Sequence, residues 1–68
     1  MERIERGDKV ELLEDVEYDV HAGDCGVVLM ATPEADEIVV KVATRETTPE
    51  GNTMLRIVRV SPSTLRSL

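Results

Sequence analysis

Gly23-Asp24-Cys25-Gly26 runs directly into Val27-Val28-Leu29-Met30, a glycine-bracketed turn followed by four apolar residues. Two glycines three apart suit a tight turn with at least one residue at positive φ, and the β-branched run after them belongs in a sheet. The chain built around this stretch has 68 residues. That is one domain, near the lower limit at which a core without disulfide or metal outweighs chain entropy. Apolar residues make up 41% of it and Tyr18 is its only aromatic, so the core is built from Val, Leu, Ile and Met. A cavity large enough for a cofactor is not expected, and no cofactor is assigned.

A single cysteine, Cys25, excludes an internal disulfide, and with His21 as the only histidine a four-ligand Cys/His zinc site is excluded as well. No apolar run approaches the roughly 18 residues of a membrane span, and Met1–Arg6 has no apolar stretch of a secretion signal. These features lead to the expectation of a soluble cytoplasmic protein without membrane contact. Charge is polarised along the chain: residues 1–37 carry twelve acidic and three basic groups, net −9, and residues 38–68 carry two acidic and five basic, net +3. The total of −6 bears on partners and solubility, not on fold.

Taken in order, residues 1–7 read as a charged lead-in, and Gly7-Asp8 turns the chain into Lys9–Leu13, where Val10 and Leu12 alternate with Lys9 and Glu11 as in a half-buried strand. Glu14–Ala22 is a long acidic loop whose Val16, Tyr18 and Val20 alternate with Glu17 and Asp19, so its apolar side is expected to fold onto the core. The Gly23–Gly26 turn follows, and the all-apolar Val27–Met30 suits a strand covered on both faces. Thr32–Glu37 reads as a hairpin connection with Pro33 early and Asp36 at its close, and Ile38–Val42 as the next strand. Polar Thr44–Asn52, with Pro49 and Gly51, is the expected mobile loop. Thr53–Val60 is a strand in which Arg56 and Arg59 stand three apart, a spacing that predicts a β-bulge near Ile57-Val58. Ser61-Pro62-Ser63-Thr64 suits one helical turn capped by Ser61, after which Leu65 and Leu68 are expected to return to the core.

This order of elements resembles that of SH3-like small barrels. Gly7-Asp8-Lys9-Val10-Glu11-Leu12 and Gly23-Asp24-Cys25-Gly26-Val27-Val28 look like the Gly-Asp-x-Val-x-Leu and Gly-x-x-Gly-x-Val pattern of KOW-type barrels, and the layout resembles small uncharacterised bacterial proteins of that kind. The resemblance implies an all-β fold, a five-stranded SH3-like barrel with one short helical turn before the last strand. It implies no catalytic residues. Proline-rich peptide binding by SH3 domains uses a groove of several aromatics, which Tyr18 alone does not supply. KOW-type domains are typically basic because phosphate neutralisation dominates nucleic-acid affinity, and this chain is acidic.

Four groups of residues invite chemistry. Asp15, Glu17 and Asp19 have the one-three-five spacing of a calcium loop, but Val20 and Gly26 stand where glycine and a bidentate glutamate are required, so a solvated acidic loop is expected and no metal. His21 and Cys25 bracket the turn, yet no third group orients the imidazole, and Cys25 is expected to pack as a small apolar residue. Lys41, Arg45, Arg56, Arg59 and Arg66 are the only cations from which a nucleic-acid face could be assembled; the plain alternative pairs Arg56 and Arg59 with loop carboxylates. Glu14, Asp15, Glu17 and Asp19 around Tyr18 form an acidic surface with one amphipathic ring at its centre. The leading expectation is thus a non-enzymatic protein-binding or regulatory module whose acidic loop engages a basic protein. The alternatives are a KOW-like accessory touching RNA or ribosomal components through the Arg56/Arg59 side, and a homo-oligomer whose interface forms the site.

Overall fold

The computed structural model describes residues 4–32 and 36–68, so the turn position expected for Pro33 lies outside the described residues. The fold is all-β: β1 Lys9–Leu12, β2 Cys25–Thr32, β3 Glu37–Thr47, β4 Thr53–Val60, a 3-10 turn at Pro62–Thr64, and β5 Leu65–Ser67. All pairings are antiparallel, and the sheet order is β4-β3-β2-β1-β5. Among the described residues β4 and β5 do not pair, so the ladder is open.

Alternation places Val10, Leu12, Val28, Val40, Val42, Val58 and Val60 on the inner face, joined by Ile38, Leu65 and, from the loop, Val20. Ile4, Val16 and Ala31 pack against this cluster from its margins. The core is aliphatic, as a chain with one aromatic residue requires. β2 departs from the expectation of cover on both faces: Val28 is buried, whereas Val27 and Met30 are exposed. The register shift in this strand falls between Val28 and Met30.

β4 also departs from its expectation. Its pairing with β3 runs unshifted from Ile38↔Val60 to Ala43↔Leu55, so there is no bulge at Ile57-Val58; the irregularity lies between Ala43 and Thr47. The reason for the three-residue arginine spacing is simpler: opposite residues of a ladder share a face, and Arg56 lies opposite buried Val42 while Arg59 lies opposite Val39. The two arginines occupy different faces.

Strand β3 takes up the first half of the expected mobile loop and ends at Thr47. The remaining turn is held by the Thr48 amide to Asn52 O at 2.7 Å and the Gly51 amide to Thr48 O at 2.8 Å. With 11 residues, β3 spans about 36 Å at roughly 3.3 Å per residue, close to the 39 Å longest extent of the molecule. Ser61 occupies the cap position of the 3-10 turn, its hydroxyl meeting Ser63 and Thr64 hydroxyls and no backbone amide. Leu65 is buried as expected, but Leu68 is exposed: it lies three residues on from inward Leu65, so alternation puts it on the opposite face, with its amide donating to Lys9 O.

Candidate functional site

The acidic loop between β1 and β2 is ordered from both ends. At its exit, Gly23 has φ +92° and its amide donates to Leu12 O at 2.8 Å. Asp24 is the fixing residue: its carboxylate is buried, accepts the His21 amide at 2.9 Å, and accepts Arg45 Nε at 3.1 Å. Arg45 also donates to Ala22 O at 2.9 Å, so β3 holds the end of the loop through one side chain. Gly26 then allows β2 to approach β3. A Cβ there would stand 2.6 Å from Lys41 O and 2.8 Å from Val40 Cγ1.

Within the loop the chain reverses between Glu17 and Val20, which form an isolated antiparallel bridge. That reversal breaks the alternation read from the sequence. Val20 is fully buried and Val16 partly so, but Tyr18 sits at the tip with 95% of its surface exposed. Tyr18 therefore does not fold onto the core with its neighbours.

Each loop carboxylate has a partner. Arg56, from the inner face of β4, donates Nη2 to Glu17 Oε2 at 2.9 Å and lies with Nε 3.3 Å from Asp19 Oδ2. The hydrogen bond to Glu17, then the negative charge of Asp19, holds the Arg56 pKa above its ordinary value. Asp19 is largely enclosed, its side chain 12% exposed, and its Oδ1 is buried without a hydrogen-bond partner among the described residues. Asp15 Oδ1 accepts the Ala22 amide at 2.9 Å and lies 3.7 Å from His21 Nδ1. Glu14 Oε1 accepts the Thr64 hydroxyl at 3.4 Å. Four carboxylates against one guanidinium leave the loop at net −3.

The cations are dispersed. Arg45 is committed to Asp24, Arg56 to Glu17 and Asp19, and Arg66 to Glu11. Lys41 and Arg59 are exposed on the outer face, where Arg59 Nε lies 3.8 Å from Glu37. Lys41, Arg45, Arg56 and Arg59 thus do not form one basic surface, and of the two arginines expected to meet the loop only Arg56 does so.

His21 and Cys25 are not brought together as a reactive pair. The imidazole lies with Nδ1 3.7 Å from Asp15 Oδ1, beyond hydrogen-bond distance, while Cys25 Sγ lies 3.8 Å from Gly23 O. Cys25 is exposed on the outer face and does not pack as a core residue. Among the described residues no group of three or more His, Cys, Asp or Glu side chains is placed to hold a metal ion, and no helix is long and apolar enough to cross a membrane.

Sequence reasoning missed Asp24, and it named Arg45 only as a candidate cation for a nucleic-acid face, not as the partner of Asp24. Their 21-residue separation gives no local signal; only the position of Asp24 inside a glycine turn marked it. Compared with protein-family models, curated proteins and solved structures, the chain matches none of them.

Proposed function

We propose that the chain is an SH3-like small barrel of KOW-related layout that serves as a non-enzymatic protein-binding module, docking a basic protein through residues 14–19. The observation that carries this reading is the placement of Tyr18. The only aromatic residue of the chain is kept out of an aliphatic core and displayed, 95% exposed, on a loop tied down at both ends. An aromatic ring on a rigid support binds with little ordering cost, and a net negative surround speeds encounter with a basic surface. Arg56 removes part of that charge but fixes the geometry. The strand order and the turn before β5 agree with the barrel assignment, although the ladder is open.

The test is capture of partners from cell lysate at low salt, after nuclease treatment, by wild-type protein and by Tyr18→Ala. A basic protein held stoichiometrically by the wild type and lost by the variant is expected. Equal capture by both removes the loop from the interface, and capture abolished by nuclease alone moves the assignment to nucleic acid.

A further inference from the structure

The two edges of the sheet are unequal, since β5 has three residues and β4 has eight. Which groups β4 leaves unpaired follows from the alternation of antiparallel hydrogen bonds. The Val28 amide donates to Asp8 O at 2.9 Å, so the peptide groups of Val28 face β1 and those of Val27 face β3, opposite Lys41. Carried across the ladder, Val40 and Val42 turn theirs toward Val58 and Arg56 of β4. Leu55, Ile57 and Arg59 are left with N–H and C=O directed away from the sheet, without a strand partner among the described residues. Their side chains stand on the outer face, Leu55 54% and Ile57 64% exposed.

Natural sheets blunt such an edge with a lysine, a proline, a bulge or a short strand. Thr53–Val60 contains neither lysine nor proline, and it pairs in unshifted register from Leu55 to Val60. It does carry two arginines, but both are matched within the chain, Arg56 by Glu17 and Asp19 and Arg59 by Glu37. An apolar edge whose inward cation is already paired, and whose outward one stands beside a carboxylate of its own chain, suits a second copy of itself better than a charged peptide.

We propose that two copies of this chain pair antiparallel along β4 about a two-fold axis at Ile57. In this register Ile57 faces Ile57, and each Leu55 faces the second copy's Arg59, so no like charges stand opposite and the outer faces of both copies lie on one side. On the inner side each Arg56 stands across from the second copy's Val58. The unpaired groups of Leu55, Ile57 and Arg59 gain partners, and the exposed apolar surface of β4 becomes the middle of a continuous sheet. The proposal is independent of what the loop binds.

Each copy carries net charge −6, so repulsion opposes pairing and salt relieves it. Sedimentation of the full chain over a range of concentration and salt, together with amide hydrogen exchange, tests the inference. Expected is a monomer–dimer equilibrium that strengthens as salt rises, with the Leu55, Ile57 and Arg59 amides gaining protection as concentration rises. Ile57→Lys, at an exposed side chain, should abolish the dimer while circular dichroism remains unchanged, and Val27→Lys, on the same face but inside the sheet, should leave it intact. A monomer at all concentrations overturns the proposal, as does association that weakens with salt or that is lost in Val27→Lys but kept in Ile57→Lys.

Discussion

Asp24 has exposed neighbours on both sides, Gly23 and Cys25, yet is itself buried and hydrogen-bonded to the His21 amide and to Arg45. Replacing it with alanine leaves the His21 amide unmatched and removes one of the two anchors of Arg45, which keeps its bond to Ala22 O, so Asp24→Ala should lower stability by about 1–3 kcal/mol, the usual cost of an orphaned buried polar group, measured by urea unfolding. Gly26→Ala should cost about 1–3 kcal/mol by the same measurement, because backbone, not a flexible side-chain tip, occupies the space of the added methyl. The tight turn at Gly23 was legible in the spacing of the two glycines; the need for Gly26 inside β2 and for Asp24 beside Arg45 was not, since both answer to β3, which is remote in sequence. Arg56 and Arg59 look alike in sequence and differ in the fold. Arg56→Met strands Glu17 and the enclosed Asp19 carboxylate and should lower Tm clearly more than Arg59→Met, which breaks a single exposed contact of 3.8 Å.

β4 keeps the bounds Thr53–Val60 read for it but not the bulge inferred from its arginines, and period-two alternation placed β1 within Lys9–Leu13 with one buried and one wet face. It failed where a face changed its cover. β2 is apolar on both sides, yet only Val28 is sealed, since periodicity reports what a side chain tolerates, not what covers it. The acidic loop failed differently, with the reversal at Glu17–Val20 sending Tyr18 outward and Val20 inward. As an element the loop is pinned by Val20 and not by Tyr18. Val20→Ala should destabilise by about 2 kcal/mol, from two buried methyl groups at roughly 0.8 kcal/mol each and a small cavity, whereas Tyr18→Ala should fall within about 0.5 kcal/mol of wild type. Thermal unfolding of the two variants side by side separates these outcomes.

For the molecule as a whole, the turn at Pro62 follows from a proline at a first helical position, and the five-stranded layout from the resemblance in element order. The open ladder between β4 and β5 does not, because strand closure depends on β5 being three residues long and no periodicity marks so short a strand. Charge polarity was equally visible and equally incomplete. It located the acidic half and the basic half, but not that Arg45, Arg56 and Arg66 each cross to a carboxylate of the other half. Displayed at the tip of the acidic loop is the one tyrosine. The most direct test of that account is quantitative capture by wild type and by Tyr18→Ala after nuclease, with both proteins first matched in Tm. Loss of a basic partner by the variant is the predicted result; retention of the same partner at equal yield would contradict it.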